Sequence, residues 1–566
     1  MEHDSHPTSK ATTLAGSQTP SRSASIKKDV SLHHPQDDAS VVAVPSKDRA
    51  PVFVVALCLF QSLAGLLFGC HLWSHQRRFG EPDATSSTGY SIPTTRQSLI
   101  TSFMSLGALF GALTMSKISA RFGIKASYLF SLFIYMVGVA IETSGQEQWG
   151  QEVAGRFVTG YGVGALSLLA PLYQAECSPK HLRGLITGTY QLMATFGIAV
   201  ASQRSNLTFA TPARSFFANV VNYSMHSRGD ALSWRLPLAL QFIWAAGVFV
   251  GTVLCPESPR YYVERGDLDN ARVNLAKLRG YEPEEPEVTA ELDAIVAGVE
   301  EAKTSKDANY LDCFRLKDRM LLRTMNGILI QMGQQWTGVN FFFSYGTKFF
   351  ATSGISDSFL TQLILRGLFA VDYLGRRTLL FIGSFMMFSG QIIAGALATA
   401  LPDDPTAGKA LIFASTWFIA GFAASWGPLG WVVAAEQFPL KIAPYCVALA
   451  TASNWLNNFI IALIVPYITD ADYANLQAKI TFIWAGCIAL FTIYVFFAIP
   501  ETKGLSLVQV DELYLTRVPA WRSANWVPYG GATQRNADES QRLKLGAQSS
   551  HLEKVSPRRD LSDDDA

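Results

Sequence analysis

The chain has 566 residues and a formal net charge of +1; 49% of the residues are hydrophobic and only 16% are charged. Soluble proteins carry about 25% charged residues, so this composition argues against a soluble globular chain, and its balanced charge gives nucleic acid or an acidic partner nothing to bind. Seven cysteines form no CxxC pair and lie in or beside apolar runs, which argues against a zinc site or disulfide framework and makes them small buried apolar residues.

Residues 1–50 are polar, rich in Ser, His and Pro, and lack an apolar h-region. They predict a disordered tail and not a cleaved signal peptide. A helix that crosses a bilayer needs about 20 mostly apolar residues. Such runs predict spans near 51–72, 98–115, 126–143, 153–171, 185–202 and 236–255, which form a bundle over 51–255. A second set lies near 325–345, 378–400, 409–431, 445–467 and 480–499, within 325–500. A twelfth candidate, 359–371, has only 13 residues and carries Arg366 in its middle. That is too short to cross unaided, and a central Arg costs roughly 3 kcal/mol or more in a bilayer. Between the two sets, residues 256–324 are polar and charged, with helical patterns at 268–278 and 288–303. This stretch predicts a cytoplasmic helical linker domain. Residues 501–566 predict a cytoplasmic C-terminal segment, disordered from 515 onward.

Lys and Arg in short loops set the orientation. Lys117, Arg121, Lys125, Lys180, Arg183, Arg376 and Arg377 fall on the same side as both tails. That side is expected to be cytoplasmic, although Arg77, Arg78, Arg204 and Arg214 fall on the other.

Three short patterns occur twice in the same order. Ala120-Arg121-Phe122-Gly123-Ile124-Lys125 echoes Asp372-Tyr373-Leu374-Gly375-Arg376-Arg377. Glu176-Cys177-Ser178-Pro179 echoes Glu436-Gln437-Phe438-Pro439, and Pro256-Glu257-Ser258 echoes Pro500-Glu501-Thr502. The offsets of 252, 260 and 244 residues predict two copies of a six-helix unit. Each pattern sits where a span meets the cytoplasm. Acids and arginines there can pair and cap helix ends, which makes Arg121, Glu176, Glu257, Arg376, Arg377, Glu436 and Glu501 candidate gate residues. Ordinary positive-inside anchoring is the alternative, but it needs no carboxylates.

The motifs together resemble the sugar porters of the major facilitator superfamily, closest to fungal hexose (glucose) transporters, over roughly residues 52–515. They are Gly155-Arg156-Phe157 with Gly160, Gly162 and Gly164; Pro171-Leu172-Tyr173-Gln174-Ala175-Glu176 with Arg183-Gly184; Gln191-Leu192; and Pro256-Glu257-Ser258-Pro259-Arg260. The second half adds Gln334-Gln335-Trp336-Thr337-Gly338-Val339-Asn340, Gly375-Arg376-Arg377, Gly427-Pro428 with Trp431, Asn454-Trp455 with Asn458, and Pro500-Glu501-Thr502-Lys503-Gly504. The resemblance implies an all-α membrane protein with the major facilitator fold: twelve transmembrane helices in two pseudo-symmetric six-helix bundles, the eighth here truncated. It implies alternating-access transport of a monosaccharide across the plasma membrane by a monomer in the lipid bilayer, with no cofactor, metal or enzyme chemistry. Glucose is the first expectation.

Hydroxyl-rich ligands need carboxamides, which donate and accept, and an aromatic face for the ring's C–H surface. The resemblance implies that Gln191, Gln334, Gln335, Asn340, Trp431 and Asn458 line the sugar site, and adds Arg156 and Arg183 to the gate set. Interhelical bonding is the alternative for these amides. Asn454 fits a structural role as well as a functional one, and Tyr345 fits either an aromatic gate or core packing. The glycines at 107, 111, 160 and 164 have GxxxG spacing, which predicts close helix packing.

Several positions depart from the family pattern. Gly65–Gly69 is followed by Cys70 and His71 where the family has an aromatic residue and the Asp customary in proton-coupled porters. Proton coupling is therefore left open. Residues 203–219 resemble an insertion, with an Asn206-Leu207-Thr208 sequon, and removing these 17 residues brings the third repeat offset to 261. About nine residues are missing near 364–367. Ala120, Ile124 and Ala443 replace charged gate residues, which leaves Glu436 expecting only Lys441 as a partner. Two origins fit the insertion and shortenings: exon-assignment errors in the coding sequence, or an inactive paralogue. A different functional class, a sugar sensor of the same fold that signals through its tail, fits the same motifs.

Overall fold

The computed structural model describes residues 81–82, 90–91, 93–145, 148–178, 186, 189–190, 193, 232–303, 309–341, 375–401, 405–439, 442–470, 472–505 and 507–528. The expected spans at 51–72 and 359–371, most of that at 185–202, the 203–219 segment, Arg183, Gln191 and Tyr345 lie outside these residues. So do the first tail and residues 529–566.

The first half contains α1 (Thr94–Phe122), α2 (Ile124–Ser144), α3 (Trp149–Cys177) and α4 (Leu232–Leu254). The linker holds α5 (Pro259–Glu264), α6 (Leu268–Arg279) and α7 (Pro286–Lys303). The second half holds α8 (Met320–Gln335), α9 (Arg376–Ala400), α10 (Pro405–Ala424), α11 (Trp426–Glu436), α12 (Ala443–Thr469) and α13 (Ile480–Ala498), followed by α14 (Leu507–Leu515). Seven helical segments among the described residues are long and apolar enough to cross a membrane, α10 and α11 counting together as Phe413–Glu436. Their outward faces are apolar: Phe385, Leu490 and Phe497 are exposed. Such surface needs hydrocarbon around it. The one departure from an all-α chain among the described residues is a two-residue antiparallel pair, β1 (Glu81–Pro82) with β2 (Tyr90–Ser91).

The glycines at GxxxG spacing do what their pattern predicts. A Cβ on Gly160 would stand 2.0 Å from the Met104 carbonyl oxygen, and one on Gly107 2.0 Å from that of Phe157. Gly111 and Gly164 meet Tyr161 and Ala108 in the same way. The backbones of α1 and α3 therefore touch, which hydrocarbon rewards because dispersion is the main force between helices there.

Two expected spans are broken. The run at 325–345 ends as a helix at Gln335, and the chain turns through Trp336–Gly338, where Gly338 has φ +82°. The Trp484 indole packs where a Gly338 side chain would project, 2.5 Å from a built Cβ. The run at 409–431 breaks at Ser425 (φ −132°, ψ −85°) and continues to Glu436, so Trp431 lies inside a span and not at its end. Pro428 explains the break: it donates no N–H and its ring excludes the carbonyl of residue 424.

In the linker, Asp267 caps α6 by accepting from the Asn270 N–H at 3.1 Å, and Gly280 ends that helix with φ +72°. A small core of Val263, Ala271, Leu275, Val288 and Leu292 holds α5–α7 together. Arg279 fixes this core to the first half: it pairs with Glu291 at 2.7 Å and donates to the Cys177 carbonyl at 2.8 Å. The linker helices sit close to the expected 268–278 and 288–303. Disorder expected from 515 does not hold for 516–528. There Ala520 is buried, the Glu501 N–H donates to Ser523 Oγ at 2.7 Å, and Trp521 stacks on Phe496 with centroids 6.3 Å apart. The second half supplies an aromatic ledge that the tail's composition did not reveal.

The α1–α3 contact makes a direct prediction. Gly160→Val should destabilise the chain at or beyond the upper end of the ~1–3 kcal/mol typical of overpacking. The check is the yield of monodisperse protein in detergent, where Gly150→Ala, at a position with open space, should behave as wild type.

Candidate functional site

Polar side chains from α8 and α12 form one bonded cluster between the halves. Asn454 is its hub. Its amide donates to Gln331 Oε1 at 2.6 Å and Gln334 Oε1 at 2.7 Å, and its oxygen accepts from Gln335 Nε2 at 2.7 Å. Gln335 Oε1 in turn accepts from Asn340 and, at 3.4 Å, from Asn458. The break after Gln335 brings Asn340 back over the helix end, so the two residues meet without a continuous helix. Asn458 Oδ1 accepts from Ser105 Oγ of α1 at 2.9 Å, which carries the cluster into the other half.

The expected sugar-site residues therefore separate into two kinds. Gln334 is spent on framework: its Nε2 donates to the carbonyls of Trp426 (3.0 Å) and Gly427 (2.7 Å) in the first turn of α11. Gln331 does a similar job for the Gly430 carbonyl at 3.2 Å. Asn340 and Asn458 are half-buried and keep polar capacity toward the space between the halves. Gln335 links the two kinds. Asn454, Gln331 and Ser105 were not among the expected residues. Their signal was helical spacing: Asn454 is one turn before Asn458, and Gln331 one turn before Gln334 and Gln335.

Aromatic residues bound the cluster. Trp431 stands edge-to-face with Tyr190 of the first half, centroids 5.6 Å apart. Trp455 donates its indole N–H to Ser167 Oγ of α3 at 3.0 Å. Both indoles belong to the second half by sequence but pack into the apolar core of the first. Tyr190 precedes Gln191 in the chain, so the expected aromatic wall is a pair that spans both halves.

On the face that carries the linker, the sequence repeat becomes a repeated geometry. Glu501 accepts from the N–H groups of Arg376 and Arg377, each at 2.9 Å, at the start of α9. Glu257 accepts from the Lys125 N–H at 3.1 Å, at the start of α2. Both carboxylates serve the free N–H groups and positive end of a helix. The residue before each helix is a glycine in the same conformation, Gly123 at φ +91° and Gly375 at φ +92°. A side chain there would collide with the carboxylate, whose nearest oxygen lies 2.5 Å from a Cβ on Gly123 and 2.9 Å from one on Gly375. The following cation closes each unit on the carbonyl end of another helix: Lys125 Nζ donates to Val253 O at 2.7 Å, and Arg377 donates to Ile499 O at 2.9 Å and Phe496 O at 3.1 Å. Burial pushes the Glu257 carboxyl above the usual carboxylate range, while the N–H groups of Ser258, Lys125 and Ile124 pull it back.

Two expectations are corrected here. Glu436 does not lack an arginine: Arg376 pairs with it at 2.9 Å and Thr502 Oγ1 donates to it at 2.7 Å. The partner comes from the same half, so the replacement at Ala443 does not matter. Glu176 lacks the counterpart of Arg376. Ser258 Oγ donates to it at 2.5 Å, as Thr502 does to Glu436, but position 124, 252 residues before Arg376, is Ile. Glu176 makes no ion pair among the described residues; Arg260, which pairs with Glu264 at 3.0 Å, also acts on its charge. The second correction concerns Arg121 and Arg156. Arg121 is exposed and lies over the Phe122 ring at 5.6 Å. Arg156 is 20 residues from Glu176 in α3, roughly 30 Å away along the helix axis, and bonds to Glu152 at 3.5 Å near the opposite end. Neither side chain belongs to the linker-side networks, although the Arg121 carbonyl accepts from Arg265 of the linker at 2.5 Å. Arg323, not expected, joins them: it pairs with Asp511 and lies 4.6 Å from the Tyr514 ring, docking α14.

Two helix repeats around a shared seam of amides and aromatics, with matched charged caps on one face, define a membrane transporter of the major facilitator fold. Residues 52–514 match the family described as "Sugar (and other) transporter", and the chain belongs to that family. Hexose transporter 2 of Kluyveromyces lactis is 32% identical over 557 residues, covering 93% of this chain and 94% of the relative. The Galactose transporter of Saccharomyces cerevisiae is 33% identical over 514 residues, covering 86% of each. Among solved structures, the proton:xylose symporter XylE bound to 6-bromo-6-deoxy-D-glucose superimposes with a TM-score of 0.66 at 23% identity, over 82% of this chain and 100% of the other. Its inward open conformation gives 0.60 over 81% and 99%.

The missing cation yields a prediction. Ile124→Arg should create the pair that Arg376 makes in the other half and raise the thermal midpoint of the detergent-solubilised protein. Arg376→Ala should lower it, by the ~3–5 kcal/mol that breaking a buried pair costs. If Ile124→Arg destabilises the chain as much as Arg376→Ala does, the two networks are not equivalent.

Proposed function

We propose that this protein carries a hexose across the plasma membrane by alternating access, with glucose the first candidate, acting as a monomer. The observation that carries the reading is the amide cluster of Gln335, Asn340, Asn454 and Asn458, which reaches Ser105 across the seam. A sugar hydroxyl both donates and accepts, and so does a carboxamide. A pyranose entering between the halves takes over bonds that Asn340 and Asn458 now donate to Gln335 and that Ser105 donates to Asn458. It therefore binds both halves and exchanges bonds without leaving a buried group unpaired. The Trp431–Tyr190 pair offers aromatic surface to the ring's C–H face. The names of the fungal relatives support a hexose, and the family supports transport.

Movement follows from where the halves are joined. In this structure α1 and α12 are tied over the first part of α1: Thr94 to Asp470, Ser98 to the Leu463 carbonyl at 2.6 Å, and Ser105 to Asn458. Each bond is short-range and replaceable, so the seam can part at one end while it holds at the other. The matched caps act within each half, keeping helix ends rigid while the halves rock. The linker face is the cytoplasmic one, as the Lys and Arg of the short loops require. The step needs no covalent chemistry. Whether a proton accompanies the sugar is decided by an uncoupler in the same assay.

The test is uptake of labelled glucose in a host stripped of its own hexose carriers, with galactose and xylose as competitors. Saturable uptake that glucose itself competes is the expected result; none at normal surface expression overturns the reading. Asn458→Ala should raise KM about tenfold at near-normal expression, since one polar contact to the sugar is worth about 1.4 kcal/mol. Gln334→Ala should instead lower the amount of folded protein, because it takes an acceptor from the buried Asn454 amide and opens a gap beside Gly430.

A further inference from the structure

The segment of linker that leads into α8 has an exposed apolar surface among the described residues. Leu311 and Leu316 are each 82% exposed, and Phe314 is 46% exposed. Lone exposed leucines are ordinary on a protein surface, but three large apolar side chains within six residues are not. The exposure is not a sign of looseness. Residues 310–314 form a 3-10 turn capped by Asn309 and Asp312, and the Leu321 N–H donates back to the Arg315 carbonyl at 2.9 Å. The opposite side of the same turn is buried. Cys313 is fully enclosed, its sulfur 3.2 Å from that of Cys446 on α12, and its carbonyl accepts from Thr324 of α8 at 2.7 Å. This turn is held with its apolar side chains facing out.

The surroundings indicate what those side chains meet. Residue 320 begins α8, whose own Leu322 is exposed on its outward face, so the apolar patch adjoins the surface that lipid covers. The patch is interleaved with cations: Arg315, Lys317 and Arg319 alternate with Phe314, Leu316 and Asp318. Asp312 is neutralised by Arg315 at 2.6 Å, and residues 309–319 carry the cations Arg315, Lys317 and Arg319 against the acids Asp312 and Asp318. Apolar side chains flanked by a net positive charge at the mouth of a transmembrane helix are the composition that seats in the headgroup layer of an anionic leaflet.

The segment also touches the transport machinery. Tyr310 donates its hydroxyl to the Leu113 carbonyl of α1 at 2.6 Å and shares a hydrogen bond with Ser116. Its ring stands edge-on to Tyr445 of α12, centroids 5.0 Å apart. One residue thus bridges the linker-side ends of the two helices that form the seam between halves.

We propose that residues 309–319 are a strap that seats in the anionic cytoplasmic leaflet and, through Tyr310, holds α1 and α12 together on that side. This rests on the orientation given above. Anionic lipid then favours the state closed to the cytoplasm, and the sugar cycle works against that bias at each turn.

Backbone hydrogen exchange of the full-length protein tests this, comparing nanodiscs of phosphatidylcholine with nanodiscs of phosphatidylcholine and phosphatidylserine. Amides of 309–319 should exchange several-fold more slowly in the anionic discs, with a parallel slowing at 113–119. The double variant Leu311→Ser with Leu316→Ser should lose both differences while its other helices exchange as in wild type. Equal exchange of the wild type in the two kinds of disc overturns the proposal and leaves the patch to a protein partner. A lipid effect that survives in the double variant also overturns it, as does strap protection without any change at 113–119. Exchange is read without sugar, so absent hexose uptake would defeat the transport reading and leave this result standing.

Discussion

The middle of a bilayer offers no water, so a carboxamide placed there must bond to protein or to cargo. That constraint shapes the centre of this molecule. Gln331, Gln334, Gln335, Asn340, Asn454 and Asn458 satisfy one another and bond to backbone carbonyls of α11. A closed polar network is stable when nothing is bound. It is also a ready-made set of partners for a ligand that can replace some of its internal bonds. The division of labour within it follows burial: residues deep in the second half hold the helix break open, and those at the seam remain available.

The same economy governs the linker face. Helix ends leave N–H and carbonyl groups unpaired, and duplicated carboxylates and cations answer them. Glycine is required before α2 and α9 because the capping carboxylate occupies the place of a side chain. Duplication produced the device twice, but the copies are no longer equal. Arg376 gives the second half an ion pair that Ile124 cannot give the first. The C-terminal helix is tied to the second half as well, through Arg323 and Asp511. Burial pushes the Tyr514 hydroxyl in that helix up to about 12, against the pull of Asn326, Arg323 and Arg319, so it stays a neutral donor to Gln437 at 3.0 Å.

Much of this was legible in the sequence. Apolar runs gave the spans, the glycine spacing gave the α1–α3 contact, and three repeated patterns gave two matched units. The helix breaks were harder to see. Hydropathy averages over about 19 residues and does not register a turn at Trp336–Gly338 or a kink at Ser425. Residue roles within the amide cluster were invisible for a related reason. Gln334 and Gln335 look alike in a row of letters, and only packing makes one a brace and the other a contact. Arg121 and Arg156 were misassigned because charge alone does not say which end of a helix, or which face, a side chain occupies. The partner of Glu436 was misjudged because Arg376 lies 60 residues away in sequence and adjacent in space.

The central claim is that a sugar binds by exchanging bonds with amides shared between the halves. Its most direct measurement is equilibrium binding of labelled glucose to purified full-length protein, wild type against Asn340→Ala. Wild type should bind saturably, and the variant should bind at least tenfold more weakly while keeping a melting temperature close to that of wild type. Equal affinity in two well-folded proteins would show that the sugar does not use this cluster.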